Sequence, residues 1–182
     1  ASCISLVAMP GAGKSTAGRH LAHALNLPFF DADHELEKLI GMSIRSYFEL
    51  EGEAAFRERE QQVIADLVDG EPKVLATGGG AVLREANRKT LKSGSTVVYL
   101  RASPEELFRR LRHDTHRPLL QVADPLRKLR DLYQERDPLY RETAHFIIET
   151  GRPSVSTMVN MILMQLELAG VIDTQAGARG VR

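Results

Sequence analysis

Residues 8–16 read Ala8-Met9-Pro10-Gly11-Ala12-Gly13-Lys14-Ser15-Thr16. An apolar run at residues 4–7 precedes this glycine-rich turn and apolar residues at helical spacing follow it at residues 16–25, so the pattern predicts strand, turn and helix. The glycines at positions 11 and 13 permit backbone geometries closed to bulkier residues, so successive N–H groups can converge on an anion. The positive end of the helix dipole favours the same anion. The stretch therefore predicts a phosphate site in an α/β domain.

The turn, called the phosphate loop below, fits the pattern G-x-x-x-x-G-K-[ST] at Gly13, Lys14 and Ser15 and departs from it at Ala8. In this pattern the lysine reaches the β- and γ-phosphates of a nucleotide, and the hydroxyl coordinates Mg²⁺. A methyl group at residue 8 is expected to narrow or strain the loop and to weaken nucleotide affinity. The alternative is a turn that binds nothing, and the strand and helix on either side favour the phosphate site.

Composition restricts the class of protein. The chain has 182 residues and is 43% hydrophobic, which predicts one globular domain over residues 1–172, whereas residues 173–182 have little apolar surface and predict a disordered tail. Lysine plus arginine equals aspartate plus glutamate at 24 each, so no global field attracts nucleic acid or an anionic membrane. We expect a monomer with no nucleic-acid or membrane partner.

The single cysteine, Cys3, excludes an intrachain disulfide and is expected to be a small buried side chain in the first strand. The apolar run over residues 3–10 is too short for a membrane span or for a secretory signal. These features predict a cytoplasmic protein.

Strands and helices are predicted to alternate along the chain. Further strands are expected at residues 29–31, 73–77, 96–100 and 146–148. Helices are expected at residues 35–40, 44–50, 53–68, 85–92, 104–112, 125–136 and 155–168. The alternation predicts a parallel sheet covered by helices on both faces.

Two strand ends carry unusual residues, and strand ends are where α/β sheets place chemistry. The second strand ends in Asp31-Ala32-Asp33, and the third runs into Gly78-Gly79-Gly80, which leaves no side chain to obstruct a ligand. Capping of the next helix is an alternative role for Asp33. Residues 113–124 lack periodicity and predict a mobile loop; His113 and His116 lie in it without a cysteine or carboxylate cluster, so we expect solvated residues rather than a metal site.

Six motifs together resemble those of the shikimate kinase family, in order and at similar separations. They are Gly11-Ala12-Gly13-Lys14-Ser15-Thr16, Asp31-Ala32-Asp33, Phe56-Arg57-x-x-Glu60, Thr77-Gly78-Gly79-Gly80, Arg117-Pro118-Leu119 and Arg136-x-x-x-Tyr140. The resemblance covers about residues 3–168. It implies a three-layer α/β P-loop kinase with a five-stranded parallel sheet flanked by helices, an acceptor-binding region at about residues 32–60 and a mobile lid at about residues 112–124.

The implied reaction transfers the γ-phosphate of ATP to the 3-hydroxyl of shikimate, with Mg²⁺, on the pathway to chorismate and the aromatic amino acids. By the resemblance, residues 11–16 bind the nucleotide, and Ser15 and Asp31 hold the metal. Arg110 and Pro153 resemble the pair that stacks on adenine. Lys14, Asp33 and Arg117 are the implied catalytic residues: Asp33 takes the proton from the attacking hydroxyl, and Arg117 closes onto the transferring phosphoryl group.

The resemblance also implies an acceptor site. Arg57 and Arg136 grip the carboxylate of shikimate, because a guanidinium fork matches a carboxylate in a bidentate way. Backbone N–H groups of Gly79 and Gly80 approach the same acid, Gly78 belongs to the same substrate-binding run, and Asp33 binds the hydroxyls of the acid. Without the resemblance, Arg57 is typical of a solvated helix face. The remaining motif residue, Glu60, is expected either to orient one of the two arginines or to be an exposed helix charge.

Two other functions remain open from the sequence. A related small-molecule kinase, such as one for gluconate, would share the phosphate loop but not necessarily the carboxylate-gripping glycines and arginines. A nucleotide-binding module without catalysis is motivated by Ala8.

Overall fold

The computed structural model describes residues 3–112, 122–151 and 154–173, together with the backbone of residues 180–181. The strands are β1 (Cys3–Val7), β2 (Phe29–Asp31), β3 (Lys73–Ala76), β4 (Thr96–Arg101), β5 (Phe146–Glu149), β6 (Ile172–Asp173) and β7 (Gly180–Val181). The helices are α1 (Lys14–Leu25), α2 (Ala32–Ile40), α3 (Ile44–Val68), α4 (Glu85–Gly94), α5 (Pro104–Leu111), α6 (Pro125–Thr143) and α7 (Val155–Leu168). A short 3-10 turn, Ala81–Leu83, precedes α4.

The first five strands form one parallel sheet in the order β2-β3-β1-β4-β5. Every residue of β1 and β3 is buried, as expected for strands covered on both faces, and α1 packs against β3 and α7 while α4 packs against β4 and α6. The predicted five-stranded parallel sheet flanked by helices is confirmed. None of the helices in the described part of the chain is long and apolar enough to cross a membrane.

The register of the sheet brings the chemically distinctive segments together. Leu6 of β1 pairs with Ala76 of β3, and Asp31 of β2 pairs with the same Ala76. Because the carboxyl ends of these three strands lie side by side, the phosphate loop, the aspartates and the glycines emerge at one edge of the sheet.

Helix α3 is broken at Gly52, whose φ of 86° and ψ of 171° are not helical. This confirms the prediction of two helical segments separated at this glycine. The second segment buries Phe56, Glu60 and Val63, and the apolar pair packs with Leu36 of α2 in a small core of its own. The break thus lets α3 turn its second half toward the sheet edge.

Helix α6 continues to Thr143, so the predicted end at residue 136 is wrong. Pro138 lies inside the helix and removes one backbone hydrogen bond. The continuation carries Tyr140 and Thr143, which are fully buried. Packing of these residues holds the helix together beyond the proline.

At the C-terminus, β6 and β7 pair in antiparallel fashion, with Ile172 opposite Val181. The sequence does not predict this pairing within the segment expected to be disordered. The rest of that segment lies outside the described residues, as do residues 113–121 of the predicted lid, with Arg117 and both of its histidines, and Pro153.

Candidate functional site

The phosphate loop lines a cleft of about 390 Å³ at the sheet edge. Gly11 and Gly13 have φ of 86° and 90°, in the left-handed region that favours glycine, and Gly13 caps α1. A Cβ at Gly11 would lie 2.8 Å from the side chain of Leu111 at the end of α5. The loop therefore needs glycine at residue 11 for both conformation and space. Ala12 is buried, whereas Thr16 lines the cleft.

Lys14 reaches back across the loop. Its Nζ donates to the carbonyl of Ala8 at 3.0 Å and lies 3.5 Å from that of Met9. The ammonium group is thereby held at the cleft that the loop encloses, where a bound phosphate would meet it.

The methyl group of Ala8 does not strain the loop. Ala8 is fully buried in the main core, and its φ is not positive: within the described residues, Asn26 is the only non-glycine with positive φ. Strain from a positive φ is therefore absent at this position, whereas a narrower loop and weaker nucleotide binding stay predictions.

Ser15 and Asp31 meet across the cleft. The Ser15 Oγ donates to Asp31 Oδ2 at 2.8 Å, and both residues line the cleft. The other oxygen, Oδ1, accepts from the N–H groups of Asp33 at 3.0 Å and His34 at 3.4 Å. Asp31, rather than Asp33, therefore caps α2, and the alternative capping role for Asp33 is wrong.

This hydroxyl and carboxylate are hard oxygen donors that fit Mg²⁺. The described residues include no group of three or more histidine, cysteine, aspartate or glutamate side chains that could hold a metal. Mg²⁺ in phosphate sites keeps several waters and is usually held by one or two carboxylates together with the substrate phosphates, so the pair Ser15 and Asp31 is sufficient.

Asp33 lies deeper in the same cleft, against the triple glycine (Gly78-Gly79-Gly80). A Cβ at Gly78 would be 2.6 Å from Asp33 Oδ1, so only glycine leaves room for the carboxylate. Burial raises the pKa of Asp33, the nearby charge of Asp31 adds to the rise, and the positive charge of Lys14 opposes it. A carboxyl group with a raised pKa is suited to accept a proton.

Arg57 and Glu60 form a buried ion pair on the second half of α3. Arg57 Nη1 donates to Glu60 Oε1 at 2.8 Å, and the two side chains are only 12% and 4% exposed. Arg57 also lies over the ring of Phe56, with its Cζ 5.2 Å from the centroid. Arg57 is therefore not on a solvated helix face and Glu60 is not an exposed helix charge, so both of these alternatives are wrong. Glu60 instead orients Arg57. Burial raises the pKa of Glu60, and the charge of Arg57 opposes the rise.

Each residue of the triple glycine lies against a different side chain of the site. A Cβ at Gly79 would be 3.3 Å from Arg136 Nη1, and one at Gly80 would be 2.7 Å from Arg57 Nη1. Within the described part of the chain, the buried Nε atoms of Arg57 and Arg136 have no hydrogen-bond partner. Each of them lies within ion-pair distance of a carboxylate instead, Arg57 Nε at 3.6 Å from Glu53 Oε1 and Arg136 Nε at 3.9 Å from Glu135 Oε1. Two guanidinium groups beside the same glycines suit an anionic ligand.

A second cleft, of about 350 Å³, lies on the other side of the phosphate loop. Arg110 lines it and donates from Nη2 to the carbonyl of Gly151 at 2.7 Å, while burial lowers the pKa of this arginine. Val155 and Met158 supply apolar surface to the same cleft. The position suits a flat aromatic base next to the phosphates.

One contact of the triple glycine is not predictable from the sequence. The hydroxyl of Tyr140 donates to the carbonyl of Gly79 at 2.6 Å. Tyr140 belongs to the motif quoted above, but its only sequence signal is its place one helical turn after Arg136.

Known proteins resemble this chain in sequence and in fold. The family model described as Shikimate kinase matches residues 10–167. The shikimate kinase of Burkholderia pseudomallei is 59% identical over 169 residues, which are 93% of this chain and 92% of that protein. The shikimate kinase of Cupriavidus pinatubonensis is 60% identical over 173 residues, which are 94% of this chain and 90% of that protein.

Among solved structures, a shikimate kinase from Acinetobacter baumannii in complex with shikimate has a TM-score of 0.87 and 48% identity, over 93% of this chain and 94% of that one. A gluconokinase from Sinorhizobium meliloti has a TM-score of 0.58 at 19% identity over 92% of this chain and 93% of that one, a likeness that shows the fold alone. The family match over most of the sequence, together with the relatives at 59% and 60% identity, shows that this chain belongs to the shikimate kinase family.

Proposed function

We propose that the chain transfers the γ-phosphate of ATP to the 3-hydroxyl of shikimate. One observation carries the proposal beyond family membership: the guanidinium groups of Arg57 and Arg136, 12% and 13% exposed, lie against the triple glycine beside Asp33, at the edge of the sheet that also holds the phosphate loop. A carboxylate-bearing alcohol fits this arrangement, with its acid on the arginines and its hydroxyl toward Asp33.

Arg57 and Arg136 bind the acceptor carboxylate in this proposal. Their buried Nε donors have no hydrogen-bond partner among the described residues, and a carboxylate supplies paired oxygens to a guanidinium edge. The triple glycine contributes backbone N–H groups at close range because it has no side chains. Glu60 keeps Arg57 aimed at the site through the 2.8 Å hydrogen bond.

Asp33 orients the attacking hydroxyl and accepts its proton. The raised pKa increases the affinity of this carboxylate for a proton while leaving it a hydrogen-bond acceptor. Since phosphoryl transfer passes through a loose transition state, placing the hydroxyl in line contributes more than early removal of its proton.

The phosphate loop and Lys14 bind the phosphates of ATP, and Ser15 and Asp31 would hold Mg²⁺. When bound, the ion neutralises charge on the phosphate oxygens. Arg110 lies at the second cleft and, with Pro153, is assigned to adenine; Arg117 is assigned to the transferring phosphoryl group. The roles of Pro153 and Arg117 rest on the motif match.

A coupled assay of ADP release tests the proposal. With Mg²⁺ and ATP, shikimate should drive ADP release, while gluconate and nucleoside monophosphates should give rates lower by orders of magnitude. Faster turnover of gluconate or a nucleotide would overturn the proposal. Binding of ATP with no shikimate-dependent ADP release would favour a module that binds nucleotide without catalysis.

A further inference from the structure

Tyr140 is a fully buried side chain that the steps above do not use. It lies on α6 one helical turn after Arg136, and its hydroxyl donates to the carbonyl of Gly79 at 2.6 Å. Its ring packs on that of Tyr99, with centroids 4.9 Å apart. A hydroxyl from the core therefore holds the middle residue of the triple glycine.

The geometry of the peptide bond extends this contact to the acceptor site. The Gly79 carbonyl and the Gly80 N–H belong to one peptide unit, which is planar and, like every described peptide of the chain, not cis. In a trans peptide the N–H points away from the C=O. Holding the carbonyl toward Tyr140 therefore directs the Gly80 N–H to the opposite side.

That N–H makes no hydrogen bond within the described part of the chain, and Gly80 is buried. The residue itself lies beside the Arg57 guanidinium, since a Cβ on Gly80 would lie 2.7 Å from Arg57 Nη1. A buried donor next to a buried arginine suits the same anion.

Without a restraint, this peptide would not keep one orientation. Glycine residues stand on both sides of it, and glycine populates positive and negative φ about equally, so rotation of the peptide plane costs little. The hydroxyl of Tyr140 supplies the missing restraint from outside the loop.

Tyr140 itself is well fixed. Its side chain is fully buried, and its ring packs on that of Tyr99, a contact that does not involve the Tyr99 hydroxyl. Burial raises the pKa of Tyr140 to about 12, opposed by the charge of Arg136 and by the hydrogen bond between the phenol and Arg136. The phenol therefore keeps its proton near neutral pH and remains a donor.

We propose that Tyr140 is a positioning residue that sets the direction of the Gly80 N–H toward the acceptor carboxylate. This inference deepens the proposed function and rests on it. Helix α6 then serves the acceptor twice, directly through Arg136 and through the glycine backbone by way of Tyr140.

The substitution Tyr140→Phe removes the hydroxyl and keeps the ring. We expect the KM for shikimate to rise roughly tenfold, the effect of losing one hydrogen bond to a charged group, with the KM for ATP unchanged and kcat within about twofold. Tyr99→Phe is the matched control, because it removes a buried phenol hydroxyl that bonds Asp137 and not the loop. Tyr99→Phe should leave both KM values unchanged, even if it lowers the Tm as much as Tyr140→Phe does.

A second substrate separates positioning from a general structural role. For a shikimate analogue with a hydroxymethyl group in place of the carboxylate, kcat/KM should be equal in wild type and Tyr140→Phe. Equal losses for the acid and the alcohol, or no loss for the acid, would overturn the inference. Failure of the wild type to phosphorylate shikimate would instead overturn the proposed function.

Nuclear magnetic resonance on ¹⁵N-glycine-labelled wild-type protein tests the same inference without a variant. The Gly80 N–H signal should move downfield on addition of shikimate, as expected for a new bond to a carboxylate. If Tyr140→Phe fails to fold, an unmoved Gly80 signal would still overturn the inference, because the Gly80 N–H would then not meet the carboxylate.

Discussion

Asp31 and Asp33 stand two residues apart, yet the start of α2 gives their carboxylates different surroundings. Asp31 is at the N-cap, where one oxygen accepts from backbone N–H groups and the other from Ser15. Asp33 is within the first turn and points to the triple glycine. One residue is thus tied to the phosphate loop and the other to the acceptor site.

Asp33→Asn should lower kcat by about 100-fold or more, because an amide cannot accept the proton of the attacking hydroxyl. The Kd for ATP, measured by calorimetry, should stay within about twofold. In the wild type, kcat/KM should fall as the pH drops through the raised pKa of Asp33, at a higher pH than an ordinary aspartate would give, since protonation removes the base.

The variant should lose that acid limb from its residual activity. Glu35→Gln is the control: Glu35 lies on the same helix and pairs with Lys38 at 3.4 Å. It should retain wild-type kcat. Unchanged turnover in Asp33→Asn would remove this carboxylate from the mechanism.

Ala8→Gly should not improve the enzyme, although glycine is the residue of the general pattern. The methyl group is buried on an ordinary backbone, so its loss should lower the free energy of unfolding by about 1–2 kcal/mol, through lost packing and added chain entropy. Urea unfolding and ATP titration check this. Tighter ATP binding in the variant would show that the methyl group obstructs the loop after all.

At the scale of elements, the break in α3 determines where the acceptor residues lie. Gly52 has φ 86° and ψ 171°, a combination that only glycine adopts readily. The segment after it carries Arg57 and Glu60. If α3 continued straight through residue 52, these two side chains would lie at a different position.

Gly52→Ala should destabilise the protein by about 1–3 kcal/mol through backbone strain, since no atom lies within 4 Å of the added Cβ to cause a clash. The KM for shikimate should rise with it. Gly41→Ala is the matched control, because Gly41 also has positive φ and open space around its Cβ but follows α2. It should lose stability without a change in KM.

The elements also show what the sequence can predict. Hydrophobic patterns placed the five sheet strands and the break at Gly52, because burial and glycine conformation are local properties. The end of α6 was not predicted, since only tertiary packing of Tyr140 carries a helix past Pro138. The bond from Tyr140 to the Gly79 carbonyl joins segments 61 residues apart, and no pattern within either one signals it.

On the scale of the whole molecule, the formal charges balance, so only local concentrations of charge attract ligands. The 24 basic and 24 acidic residues cancel, so the anions bind where side chains and N–H groups are concentrated at one edge of the sheet. The site residues cluster at that edge because the carboxyl ends of parallel strands lie side by side. This clustering was predictable, since the alternation of strands and helices indicates a parallel sheet. The division between Asp31, which caps α2, and Asp33, the proposed proton acceptor, was not predictable, because it depends on the exact start of α2.

Ligand binding should stabilise the entire domain. With Mg²⁺, ATP at about 100 times its Kd should add roughly 2.7 kcal/mol to the free energy of unfolding, which raises the Tm by about 5–10 °C in a chain of this size. Thermal unfolding in the presence of ATP, once with Mg²⁺ and once with EDTA, measures how much of this rise in Tm requires the metal. In Ser15→Ala the two curves should nearly coincide; an undiminished Mg²⁺ effect would exclude Ser15 as a ligand.

The triple glycine limits how the acceptor preference of this enzyme can be altered. Added side chains at Gly78, Gly79 and Gly80 would meet Asp33, Arg136 and Arg57 respectively, so substitution there would displace the groups that perform recognition. To accept a bulkier acid as substrate, a redesigned enzyme has to keep the triple glycine and change α2 and the first half of α3 instead. Laboratory libraries that randomise those helices should yield active variants, whereas libraries over the glycines should return mostly the parental sequence.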